Sequence, residues 1–155
     1  MKNKKTKTFV FYGLGFPITL VKTPMRKVFG EWIIDIDMEN LQLLVLRALA
    51  YKPCPLTKDE LKFIRKYLVM TTTDFGRTFG VSHVAVVNWE KGQRRVSAAI
   101  ELCIRLHILN HLHAKDKEFR HLYNEISLEK LAKGRGEKII PLTVDASSDD
   151  FKIAL

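Results

Sequence analysis

The chain is 155 residues long with 46% hydrophobic residues, enough for one domain with its own core or for a small domain with extensions. Its net charge is +9, and Lys2, Lys4, Lys5, Lys7, Lys22, Arg26 and Lys27 fall in the first 30 residues with no acid, which favours a polyanionic partner, nucleic acid ahead of anionic lipid. No run of about 18 apolar residues marks a membrane span, Gly13, Gly15 and Pro17 spoil a signal-peptide core, and Cys54 and Cys103, far apart with no CxxC, fit reduced thiols in the cytoplasm.

Residues 9–36 read as two or three short antiparallel strands. TFVFY ends at Gly13-Leu14-Gly15, then FPITLVK alternates apolar Ile18 and Leu20 with Thr19 and Val21. After Thr23-Pro24, VFGEWIIDID places Trp32, Ile34 and Ile36 on one face. The GLG is no dinucleotide fingerprint, because position 18 is Ile where a third glycine belongs. Asp37 suits the cap of a helix running to about Ala50, with Leu41, Leu44, Val45, Ala48 and Leu49 on its inner stripe.

YKPCP breaks that helix, since Pro53 and Pro55 forbid its continuation. Thr57-Lys58-Asp59-Glu60 is a capping box, Leu56 staples onto Leu61, and Leu61, Ile64 and Leu68 form the buried stripe of the next helix. A short helix follows from about Thr72 to Phe79, and Gly80-Val81 turns the chain into SHVAVVNWEKG. A long helix over about 97–113 carries Ile100, Ile104, Ile108 and Leu112. Residues 116–133 predict one or two short helices using Phe119, Leu122, Tyr123, Leu128 and Leu131. Beyond Gly134-Arg135-Gly136 the chain reads as a tail with one candidate strand, KIIPLTV, and an acidic end, DASSDDF. The sequence has no internal repeat.

The segment after Ser82 is apolar on more than one side, unlike an ordinary surface helix. On a helical wheel Ala85, Val86 and Trp89 fall together and face the core with Phe75 and Phe79. His83, Val84, Val87, Asn88 and Lys91 fall on the other side, and the chain then runs into Arg94 and Arg95. One flank suits a core and the other suits a reader.

Here the sequence resembles the lambda-repressor-like (Cro/XRE) helix-turn-helix family. The matching residues are Ile64-Arg65, Thr72 to Gly76, Phe79-Gly80-Val81-Ser82, and Val86 with Trp89-Glu90-Lys91-Gly92, about a third of the chain. Thr72 stands where the family usually has Gln, and Gly76 where it usually has Ala. The resemblance implies that the Ser82 helix enters the major groove of double-stranded DNA with its first residues at base edges. Ser82, His83, Val84, Val87 and Asn88 would then read bases, the valines against thymine methyl groups and Asn88 against adenine. Thr72, Lys91, Arg94 and Arg95 would meet phosphates and set affinity and salt dependence. It further implies a structural ion pair between Arg65 and Glu90.

Blander readings stand beside these. Val84 and Val87 also suit, as the lesser alternative, a cover of N-terminal strands or of a second subunit. His83 suits an ordinary polar surface, and the basic N-terminus suits either a DNA-grasping arm or a solvated one. His107 and His111 share a helix face, with His113 nearby, yet no convincing fourth ligand accompanies them, so solvated or core-edge histidines are expected and neither metal nor cofactor. GRG is too short for an RNA-binding repeat. No phosphate-cradling loop, metalloprotease helix or Cys-His signature is present, and Asp35, Asp37 and Glu39 suit helix capping, so an enzyme is not expected.

The expected fold is mainly α with a small N-terminal β element: a strand-strand-helix module over 1–52, an XRE-type helical domain over 56–133 and a tail over 134–155. One helix-turn-helix unit buries little of a duplex, so a homodimer reading two half-sites is expected. The expected function is a sequence-specific transcriptional regulator, most simply a repressor. The alternative is an antitoxin that neutralises a co-encoded toxin and represses their operon; the layout is similar to MqsA- and HigA-type antitoxins, without the zinc cysteines of the former. A third class, a helix-turn-helix used only as a protein scaffold, would show no salt-dependent DNA binding.

Overall fold

The computed structural model describes residues 5–113, 116–125, 131, 141–147 and 152–153. It falls into two units, residues 1–45 with 140–155 and residues 46–139.

In the first unit β1 (Thr6–Phe11) pairs antiparallel with β2 (Ile18–Val28), setting Phe9 opposite Leu20 and Phe11 opposite Ile18. Directly opposed residues share a face, so these pairs build one apolar side, with Ile18 and Leu20 fully buried. The register slips between Lys7 and Phe9, and Lys22 takes a positive φ of 51°. Two residues of β2 there oppose one of β1, a bulge that lets the strand continue past Pro24. β2 then reverses over Phe29-Gly30 into β3 (Glu31–Ile34), with Val28 opposite Glu31 and Lys27 opposite Trp32. Both turn residues have positive φ, 49° and 87°, as a two-residue hairpin requires. The stretch VFGEWIIDID thus holds a turn between two strands, built on Phe-Gly where Asn-Gly is the usual signal.

β4 (Leu142–Asp145) runs parallel to β2, with Leu142 beside Ile18 and Val144 beside Leu20, and β5 (Lys152–Ile153) pairs antiparallel with β4. The sheet order is β1-β2-β4-β5, with β3 also on β2. This corrects the expected fold class. The chain is not mainly α with a small N-terminal β element: among the described residues five strands, drawn from both ends of the sequence, form a mixed sheet. The cause is a backbone edge. β1 covers one side of β2 and leaves the other with unpaired amides and carbonyls, which β4 satisfies while Val144 joins the core at full burial. Part of the expected tail is therefore sheet; residues 132–140 and 148–151, including GRG and most of the acidic end, lie outside the described residues, as do Lys2 and Lys4.

α1 (Met38–Tyr51) starts as expected at Asp37, whose Oδ1 accepts from the amides of Glu39 at 3.0 Å and Asn40 at 3.2 Å. In the second unit α2 (Lys58–Tyr67) has the full capping box, Thr57 accepting from the Glu60 amide and Glu60 from the Thr57 amide. It is followed by α3 (Thr72–Phe79), α4 (His83–Glu90), α5 (Ala98–His111) and α6 (Asp116–Glu125). Of the positions expected to be helical beyond α6, Leu131 is buried and Leu128 lies outside the described residues. Among the described residues no helix is long and apolar enough to cross a membrane.

Buried charge locks the proline-rich link before α2. Arg105 of α5 is wholly buried; its Nη1 donates to the carbonyls of Leu49, Ala50 and Lys52, and its Nη2 to that of Cys54 at 2.8 Å. They lie at a helix end and in a proline linker, where carbonyls run short of backbone partners; among the described residues only that of Leu49 also accepts a main-chain amide, from Lys52 at 3.4 Å. Glu101, one turn earlier, accepts the Leu56 amide, and buried Lys52 pairs with Glu60. Burial pushes the Arg105 pKa down and Glu101 acts against it; a guanidinium stays charged regardless.

Candidate nucleic-acid interface

Three helices and two turns make the site. Arg65 of α2 grips Glu90 of α4 with two parallel hydrogen bonds, Nε to Oε1 and Nη2 to Oε2 at 3.1 Å, while Nη1 donates to the Met70 carbonyl. The pair is nine-tenths screened from solvent, at 13% and 11% side-chain exposure. Planar guanidinium fits carboxylate in this two-point manner, and the third bond ties in the α2–α3 turn.

The α3–α4 turn depends on two glycines. Gly80, at φ 72°, is the left-handed cap of α3, and the Val81 amide donates back to the Gly76 carbonyl at 2.8 Å. A Cβ on Gly76 would lie 2.6 Å from the Val81 carbonyl oxygen. Gly76 is thus the residue that lets the turn close onto α3. Phe75 and Phe79 meet edge-on at 4.8 Å, and Phe79 meets His107 of α5 at 5.5 Å.

Ser82 caps α4, its Oγ accepting from the Ala85 amide at 3.2 Å. Ala85, Val86 and Trp89 are buried, as the wheel predicts. On the opposite flank Ser82, His83 and Val84 are exposed, Val84 at 52%, while Val87 and Asn88 are half-buried. Val84, Val87 and Asn88 are therefore not sealed within the chain. Lys91, Arg94 and Arg95 follow, all exposed, and the amides of Gln93 and Arg94 donate to the Asn88 carbonyl.

Thr72 is half-buried in the first turn of α3, but Thr71 is the cap, its Oγ1 accepting from the Asp74 amide. First-turn amides favour an anion, whereas the exposed Asp74 in the same turn opposes one; Arg77 lies 4.0 Å from it. Sequence reasoning misses that acid, although its position three residues after a threonine cap is a legible signal.

A depression of about 300 Å³ lies between the starts of α4 and α5, lined by Val81, Ser82, Trp89, Arg94, Arg95 and Ser97 among others. Ser97 caps α5 as Ser82 caps α4. Two helix N-termini and two arginines thus gather beside the start of the outward flank. Ser97 was missed as a site residue; a serine directly before a helix, two positions after an Arg-Arg pair, was the available signal. His107 and His111 are taken up by aromatic contacts, with Phe79 and with Tyr67 at 6.4 Å, and among the described residues no cluster of three or more His, Cys, Asp or Glu side chains could hold a metal. Compared with family models, curated proteins and solved structures, the chain matches none.

Proposed function

We propose that the protein is a sequence-specific binder of double-stranded DNA that acts as a dimeric transcriptional regulator, most simply a repressor, in the cytoplasm. α4 lies in the major groove, with Ser82, His83, Val84, Val87 and Asn88 toward base edges and Lys91, Arg94 and Arg95 toward phosphates. The observation that carries the reading is the two-sided character of α4. Ala85, Val86 and Trp89 are buried, while Val84 on the other flank stays 52% exposed beside three basic residues. An apolar side chain kept in water on a helix otherwise anchored to a core has a use when thymine methyl groups meet it. The Arg65–Glu90 clamp supports the same reading, since base readout needs a helix held rigidly by its surroundings.

A second reading, an antitoxin that also binds a co-encoded toxin, is favoured by the first unit, where Val10 of β1 at 46% and Tyr12 just beyond its end at 67% stand exposed. The test of the main reading is enrichment of bound duplexes from a random pool. A recurring palindromic site, bound more tightly than random duplex, is the expected result; equal and weak binding to every duplex rejects base reading.

A further inference from the structure

The β2–β3 hairpin presents an arrangement that the helix-turn-helix reading does not use. Its first turn residue is Phe29, fully exposed and at φ 49°. Left-handed backbone is disfavoured for a residue with a bulky side chain, and the positions of such a turn are normally filled by Asn, Asp or Gly. A large apolar group is thus held in water on a backbone that works against it, at the outermost point of a ribbon. Strain of this kind points toward function.

The flanking residues name the partner. Lys27 and Trp32 are directly opposed and so share one face of the hairpin, Trp32 is 44% exposed, and Lys5 Nζ sits 4.9 Å over its indole ring. On the other face Arg26 opposes Ile33 and lies 3.6 Å from Asp35. Glu31 is the acid nearest the tip, and from residue 5 through Gly30 the chain has five basic residues, Lys5, Lys7, Lys22, Arg26 and Lys27, and no acid. A wedge flanked by cations fits a polyanion with a stack of flat apolar faces at its centre. At the tip itself Phe29 stands as a single ring, with Trp32 and Ile33 only partly exposed further down the ribbon and each opposed by a cation, Lys27 and Arg26; a bilayer surface would favour a continuous apolar tip.

We propose that the β2–β3 hairpin is a second DNA contact, in which Phe29 wedges between base pairs from the minor groove while Lys27 and Lys5 hold flanking phosphates. An apolar side chain inserted in this way unstacks one base step and kinks the duplex by about 20–90° toward the major groove. The inference rests on the DNA-binding reading above, but it concerns a different unit and a different readout.

The test compares the full-length protein with Phe29→Asn on duplexes enriched from the random pool. Asn accepts left-handed backbone, so the turn survives and thermal stability is held or raised. Three quantities are read: affinity, bend angle by energy transfer between duplex ends, and permanganate reactivity of unstacked thymines. The wild type is expected to bend the duplex and expose a reactive thymine. Phe29→Asn is expected to lose both and to bind at least about five-fold more weakly, with affinity regained on a duplex carrying a one-nucleotide gap at the reactive step. If the wild type binds without bend or reactive thymine and Phe29→Asn binds equally well, the wedge is overturned while base reading by α4 stands. Were no duplex bound at low salt, both would fall. Loss of binding to phosphatidylserine vesicles by Phe29→Asn, with DNA binding unchanged, overturns the proposal in favour of a lipid surface.

Discussion

Arg105→Met removes a buried cation whose two terminal nitrogens reach four main-chain carbonyls, those of Leu49, Ala50, Lys52 and Cys54. Methionine fills much of the volume but offers no donor, so the last turn of α1 loses its buried partner and the half-buried proline link loses the bond to Cys54. Each stranded polar group costs about 1–3 kcal/mol. Glu101, 3.9 Å from the guanidinium and itself buried, also loses that positive charge. Removing one member of a buried pair costs about 3–5 kcal/mol, and the carbonyls place the variant toward the upper end. At roughly 4–8 °C per kcal/mol for a unit of this size, the midpoint falls by at least about 12 °C. Thermal unfolding followed by far-ultraviolet circular dichroism measures it. Arg105→Lys should fall between, because one ammonium cannot span four carbonyls. A drop below about 4 °C for Arg105→Met, equivalent to a single ordinary hydrogen bond, would falsify the claim that this network holds the link.

Four further outcomes are expected. Gly76→Ala places a methyl group 2.6 Å from the Val81 carbonyl oxygen and should destabilise the protein by about 1–3 kcal/mol in urea titrations. Val69, 90% exposed at φ 55° just beyond α2, is a β-branched residue in left-handed backbone, so Val69→Asn should stabilise by roughly 1 kcal/mol in the same assay. Burial, then the charge of His111, pushes the His107 pKa below its ordinary value; the unfolded chain therefore takes up this proton first, and stability present above about pH 6.5 is lost as pH falls toward the folded pKa. His107→Phe should flatten that loss in denaturation measured between neutral and mildly acidic pH. Finally, Arg94→Ala should weaken binding to all duplexes alike and reduce the salt slope by about 1, as read by anisotropy across a salt series, whereas Asn88→Ala should alter sequence preference.

The helices were legible because their signals are local. Thr57 with Glu60, Asp37 before its helix, and Ser82 after Gly80-Val81 each announce an N-terminus within four residues, and all three caps are present. The two flanks of α4 followed from 3.6-residue spacing. The sheet was less legible, because strand pairing is not local. Nothing within LTVD says that it lies beside Ile18–Val21, more than 120 residues earlier in the chain. The Phe29-Gly30 reversal was hidden because Phe is not a turn residue and the apolar alternation runs straight through it. Arg105 and Lys52 escaped for a related reason. A charged residue is read as solvated by default, and only the carbonyls of a distant segment make burial tolerable. The Arg65–Glu90 pair came from resemblance; 25 residues of separation offer no local cue.

The central claim concerns the bare flank of α4, and valine methyl resonances report on it directly. With an enriched duplex titrated into protein labelled at valine methyl groups, the signals of Val84 and Val87 should move and broaden, while that of buried Val86 changes little. Tight duplex binding that leaves Val84 and Val87 unmoved, with the shifts gathered on other elements, would contradict the account.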